Sequence, residues 1–211
     1  AAIEGAREGG ATEFVVADSH GSMLNLLIDR FPDDVKIVRG NTRPLGMMEG
    51  IQYGDFDGTI FIGYHSSSVN TKGIRAHTFS GGSLSEVNIN GVSASEGYFS
   101  AGISGEYGVP VIMVSGDDAA TEEIRSTVGD MEVAVVKQSL SLQAAITMTP
   151  KAAQNLIREK AHIAVARIKD FKPFKVNGPL TMQITTTAYR PAELLAYLPI
   201  ITRINARTIE Y

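Results

Sequence analysis

Thr59-Ile60-Phe61-Ile62-Gly63-Tyr64-His65 decides how this chain is read. A short β-rich apolar run is the mark of a buried strand, and this one runs straight into a histidine. The pattern occurs twice: Phe14-Val15-Val16-Ala17 is followed by Asp18-Ser19-His20. A third strand, Val109–Val114, ends in Ser115-Gly116-Asp117-Asp118. In a parallel α/β sheet, ligands and reacting groups collect at the carboxyl ends of the strands. The chain holds only four histidines, and two of them stand at such ends. The pair points to a metal or catalytic site.

Working outward, strands and helices alternate. Ile3 and Ala6 lie on a helix that stops at Gly9-Gly10, and Glu13–Ala17 is a strand. Met23, Leu24, Leu27 and Ile28 form a helical stripe closed before Phe31-Pro32. Val35–Val38 is a strand and Leu45–Ile51 a short helix. Ser66 to Lys72 is too polar and small-residued for core. Arg75–Phe79 and Leu84–Ile89 read as strands, the second closed by the tight-turn pair Asn90-Gly91. Ser95–Tyr107 is a helix whose three glycines let it pack closely. Thr121–Thr127 is helical, Glu132–Lys137 a strand, and Pro150–Ile168 a long helix with proline in its first turn. Leu180–Thr187, Pro191–Tyr197 and Thr202–Glu210 follow as strand, helical turn and strand. The alternation predicts an α/β fold: a mostly parallel, Rossmann-like sheet with helices on both faces over residues 1–170. A smaller α+β unit is expected over 171–211.

At 211 residues the chain fits one domain of ordinary size, or one with an appendage. A net charge of −4 and the lack of any run of about five or more like charges argue against a nucleic-acid partner. There is no cysteine, so any metal must be held by imidazole and carboxylate. No apolar run approaches the roughly 18 residues that span a bilayer, and no basic-then-apolar leader is present, so the cytoplasm is the expected compartment.

Neutral imidazole is a common zinc ligand, which suits His20 and His65; two hydrogen-bonded loop histidines are the competing account. Catalytic zinc keeps about three protein ligands and an open position, so a carboxylate is needed. Glu96 is the best placed, opening the helix after Asn90-Gly91. Spacing alone favours a simpler role for it, a first-turn glutamate on the helix dipole. Glu86, Asp117 and Asp118 are weaker rivals, and spacing does not make Asp18 a ligand. His77, beside Ser80-Gly81-Gly82, is a candidate general acid/base. Serine nucleophile chemistry has no Gly-x-Ser-x-Gly support. His162 belongs to the long helix and reads as structural or surface.

Taken in order, these stretches resemble one family. Ala17-Asp18-Ser19-His20-Gly21, Gly63-Tyr64-His65, Arg75-Ala76-His77-Thr78-Phe79-Ser80-Gly81, Asn90-Gly91 with Ser95-Glu96, Val109 through Asp118, and Val136-Lys137-Gln138-Ser139-Leu140-Ser141 are similar to the DppA-type zinc D-aminopeptidases. The resemblance covers nearly the whole chain. It implies two zinc ions per subunit held by histidines and carboxylates, release of N-terminal residues from short D-peptides, and a homo-oligomeric ring, a decamer. It implies His20, His65 and Glu96 as metal ligands and His77 as catalytic. The family's opening Ser-x-Asp-x-Glu-Gly motif is not in this sequence. The mid-helix start and the strand at Tyr211 lead us to expect further residues at both ends. Two rival readings remain: a related amidohydrolase for other small peptides, and a non-catalytic small-molecule-binding assembly protein with an incomplete metal site.

Overall fold

A computed structural model describes residues 1–211. Its elements are α1 (Ala2–Glu8), β1 (Val15–Ala17), β2 (Lys36–Val38), β3 (Thr59–Tyr64), β4 (Leu84–Ile89), β5 (Val92–Ser93), α2 (Glu96–Glu106), β6 (Val111–Asp117), α3 (Asp118–Val128), β7 (Glu132–Ser141), β8 (Ala144–Thr147), α4 (Pro150–Ala166), β9 (Met182–Thr186), α5 (Tyr189–Leu195), β10 (Thr202–Arg203) and β11 (Thr208–Glu210). The strands form three sheets, ordered β1-β2, β3-β6-β7-β8 and β10-β11-β9-β4-β5.

The second sheet carries the main core. β6 lies between β3 and β7, parallel to both, and every one of its residues is buried. A strand covered on both faces cannot alternate apolar with polar, so Val111-Ile112-Met113-Val114 reads as a continuous run. Burying each such side chain contributes about 1.5–3 kcal/mol. α3 and α4 pack on β6 and β7, and α2 packs on β3 and β6.

The third sheet is antiparallel throughout. Its β4–β5 hairpin turns on Asn90 and Gly91, both with positive φ (51° and 86°), as a two-residue hairpin requires. α2 also packs against the segment leading to this sheet. A β-carbon on Gly105 would overlap the Phe174 carbonyl, so the glycine sets the close approach that the small residues of this helix promised.

The fold is mixed α/β, and the expectation of one mostly parallel, Rossmann-like sheet is corrected. Parallel pairing is confined to β3–β6–β7 and to the β1–β2 ribbon. β7 and β8 form an antiparallel hairpin, and β9 pairs antiparallel with both β4 and β11, with β10 outside β11. The links from β4 to β5, β7 to β8 and β10 to β11 are too short for the crossovers that parallel strands need. His20 and His65 therefore end strands of different sheets.

Three local readings also give way. Met23–Arg30 is no helix: Met23 has φ 59°, and only Ile28–Arg30 makes a 3-10 turn. The Met23 carbonyl, which a helix would pair with the Leu27 amide, accepts from the Gly40 amide at 2.9 Å instead, and the buried Asp18 carboxylate takes the amides of Asn25 (2.5 Å) and Leu26 (2.7 Å). Leu45–Ile51 forms 3-10 turns at Gly46–Met48 and Ile51–Tyr53. Arg75–Phe79 is a turn rather than a strand, with positive φ at both ends.

Candidate metal centre

His65, His77 and Glu96 come from three separate segments, and one ligand atom from each lies within 4.8 Å of the others. His65 directly follows β3. Glu96 opens α2, whose N-cap Ser95 accepts a hydrogen bond from the Tyr98 amide at 3.2 Å. His77 sits in a tight loop whose flanking residues, Arg75 and Phe79, adopt left-handed backbone (φ 55° and 56°). Such strained residues persist only where their surroundings hold them.

The holding contacts are visible. The Thr78 hydroxyl donates to the Ala94 carbonyl at 3.0 Å. The Phe79 amide donates to Glu96 Oε1 at 2.7 Å. The His77 amide donates to the Ser66 carbonyl, and the Arg75 amide to the Leu142 carbonyl. The loop is fastened to β3's exit, to the α2 entry and to the β7–β8 hairpin.

The two imidazoles stack with centroids 3.9 Å apart and planes 20° apart. His65 Nδ1 lies 3.1 Å from the Ser66 carbonyl and His77 Nδ1 2.6 Å from the Arg75 carbonyl. A carbonyl only accepts, so each Nδ1 carries the proton, and in the neutral ring Nε2 carries the lone pair. Both Nε2 atoms face Glu96 Oε1, at 3.6 and 3.8 Å. A carboxylate is also only an acceptor. Three acceptor atoms brought this close together form a donor set that can hold a cation. Ligand atoms bonded to one zinc at 2.0–2.2 Å lie about 3.3 Å apart across a tetrahedron, so the donor set fits such an ion with small adjustment.

Burial favours the cluster as well. Side-chain exposure is 13% for Glu96, 21% for His65 and 34% for His77, leaving His77 the most open. Below them, burial pushes the Tyr64 hydroxyl strongly up in pKa, its hydrogen bond to Ser100 pulls it down, and the Glu96 charge pushes it up again. The net effect is upward, so Tyr64 stays a neutral phenol.

His20 is not in this group. It is exposed, on the loop after β1. That loop is nevertheless well built. Burial raises the Asp18 carboxyl, but hydrogen bonds from Asn25 and Leu26 outweigh it and hold the pKa below the usual value. The Arg43 guanidinium donates to the carbonyls of Gly40, Asp18 and Val38. Asp117 and Asp118 are engaged elsewhere: Asp117 caps α3 through the Ala120 amide, and Asp118 accepts from the Ser139 amide. Glu86 lies on β4, away from the cluster. His162 is exposed on α4.

Sequence reasoning missed Arg43 and Glu123. Glu123, on α3, accepts hydrogen bonds from Ser67 and Asn70. Its partners stand 53 to 56 residues away in sequence, so spacing carried no signal. Ser66 and Ser67 are fully buried, against the expectation that this polar stretch is not core; Glu123 accepts from the Ser67 amide and hydroxyl and the Ser66 carbonyl accepts from the His77 amide, while the Ser66 hydroxyl has no hydrogen-bond partner.

A mixed α/β protein with a histidine–carboxylate centre at a strand end is the class that this geometry defines. The family model described as D-aminopeptidase matches residues 1–211, and the chain belongs to that family. It is 32% identical over 190 residues to the D-aminopeptidase of Bacillus subtilis (strain 168), covering 90% of this chain and 68% of that protein. It also superposes on the zinc-dependent D-aminopeptidase DppA from Bacillus subtilis, described as a self-compartmentalizing protease. That match has a TM-score of 0.92 at 29% identity and covers all of this chain and 76% of the other.

Proposed function

We propose that the chain is a zinc-dependent aminopeptidase that removes the N-terminal residue of short peptides, with preference for D-residues. The observation that carries this is the convergence of two imidazole lone pairs and a carboxylate at the end of β3. Family membership supports the reaction class, and the names of the two relatives support the metal and the D-preference.

His65 and Glu96 would hold the metal. Zinc, when bound, supplies the Lewis acidity that activates a water and polarises the scissile carbonyl. Glu96 is kept in place by the Phe79 amide. His77, the most exposed of the three, faces the same point through Nε2 and would move a proton there or stabilise the developing charge. A second zinc would draw on His20, which stands as a lone donor beside the β1 exit. Exposed Leu194, Tyr197, Leu198 and Ile200 on and after α5 support assembly into a homo-oligomer, which we take to be a decameric ring. No helix is long and apolar enough to cross a membrane, in keeping with a cytoplasmic enzyme.

The test is zinc content together with hydrolysis of D-alanyl-D-alanine and its L,L counterpart, before and after His65→Ala. The reading requires zinc in the parent protein, D,D cleavage faster than L,L, and loss of both zinc and activity in the variant. Unchanged metal and activity would overturn it. Faster L,L cleavage would overturn the D-preference alone.

A further inference from the structure

Glu123 lies outside the cluster, yet both its carboxylate oxygens are spent on the loop that leaves His65. Oε1 accepts the Ser67 amide at 2.8 Å. Oε2 accepts the Ser67 hydroxyl at 3.0 Å and the Asn70 side-chain amide at 2.8 Å. Charge-assisted hydrogen bonds of this kind are roughly twice as strong as neutral ones.

The Ser67 amide shares one peptide plane with the Ser66 carbonyl. A peptide group is planar and trans, so its N–H and C=O point in opposite directions. Fixing the N–H on Glu123 therefore aims the Ser66 carbonyl away from α3. That carbonyl is the acceptor for His65 Nδ1 at 3.1 Å and for the His77 backbone amide at 3.3 Å. One peptide plane thus has the Glu123 carboxylate on one side and both site histidines on the other. Holding the N–H also polarises the carbonyl, strengthening its grip on the imidazole proton.

We propose that Glu123 is a positioning residue of the metal centre: through the Ser66–Ser67 peptide it fixes the tautomer and orientation of the His65 ring and the placement of the His77 loop. It plays the part that a carboxylate bonded directly to a ligand histidine plays elsewhere, displaced by one peptide unit. The inference rests on the metal reading above for its catalytic consequence, but not for the orientation of His65.

The test compares Glu123→Gln and Glu123→Ala with the parent protein in three measurements. Zinc affinity is read by chelator competition, kcat and KM on D-alanyl-D-alanine, and the His65 tautomer by imidazole nitrogen NMR of the metal-free protein. In the parent, His65 is protonated at Nδ1. The alanine variant mixes the two tautomers, binds zinc about 10–100-fold more weakly and loses kcat with KM little changed. The glutamine variant, which keeps one oxygen for the Ser67 amide, loses less. The His162 ring is unaffected in both. A folded variant with the parent's His65 tautomer and zinc affinity would overturn the proposal, as would a loss confined to thermal stability. If the parent binds no zinc but the tautomer still shifts, the positioning role stands and the metal reading falls. If neither variant folds, Ser67→Ala, which removes only the hydroxyl bond, and Asn70→Ala must each leave the tautomer ordered while Ser67→Pro, which removes the amide donor, disorders it; no shift in a folded Ser67→Pro overturns the proposal.

Discussion

Two strand ends look alike in sequence and differ in the folded protein. β1 delivers Asp18-Ser19-His20 and β3 delivers Gly63-Tyr64-His65, each an apolar strand running into a histidine. Both exits are organised by charged groups: Asp18 and Arg43 at the first, Glu123 at the second. Only the second is met by other elements that carry chemistry. The His77 loop and the α2 N-terminus close over His65, while His20 stays exposed on a separate two-stranded ribbon. A strand-end histidine offers a ligand. A site also needs partners from elsewhere in the chain.

The largest expected effects fall on the β3 exit. His65→Ala or Glu96→Gln should lower kcat/KM for D-alanyl-D-alanine by about 1000-fold or more, since removing a ligand removes the metal's several kcal/mol of charge stabilisation. Steady-state kinetics with metal analysis checks this. His20→Ala should cost less zinc and less activity than His65→Ala; an equal loss would mean that the two exits form one site after all.

Next in size is an effect on the β1 exit. Asp18→Ala should cost about 2 kcal/mol in chemical denaturation, because two backbone amides and the Asn25 side chain lose a charged acceptor. The sign of the pH dependence follows from the lowered pKa of Asp18. Its folded value lies below the unfolded one, so its contribution is full above about pH 4 and is lost as pH falls through the folded value. The parent should therefore lose stability below pH 4 more steeply than Asp18→Ala, and parallel acid profiles would refute this account of the loop.

The smallest effect concerns the cap beneath Glu96. Ser95→Ala should cost about 1 kcal/mol in melting experiments. It should weaken zinc binding only slightly, because the Phe79 amide still holds Glu96. A zinc loss as large as that of Glu96→Gln would show that the cap, not that amide, orients the carboxylate.

Much of the fold was legible because its signals are local. The run Val111–Val114, the turn pair Asn90-Gly91, the proline opening α4 and the glycines of α2 each act through their own backbone or immediate packing. The Met23–Ile28 stripe misled because the Met23 carbonyl, which would have closed the first helical turn, is taken by the Gly40 amide from further along the chain. The sheet arrangement misled because strand order is set by long-range pairing, such as β9 with β4 across about a hundred residues. Of the site, His65, His77 and Glu96 could be named one by one, but their meeting could not be read from spacing. Glu123 and Arg43 were silent, since a charged residue on a helix or turn reads as surface until its partners are placed.

The most direct test is an anomalous-difference map at the zinc edge from crystals of the zinc-loaded protein. The account predicts a peak bonded to His65 Nε2 and Glu96, with His77 Nε2 facing it. No peak there, or zinc found only at exposed histidines such as His162, would contradict it.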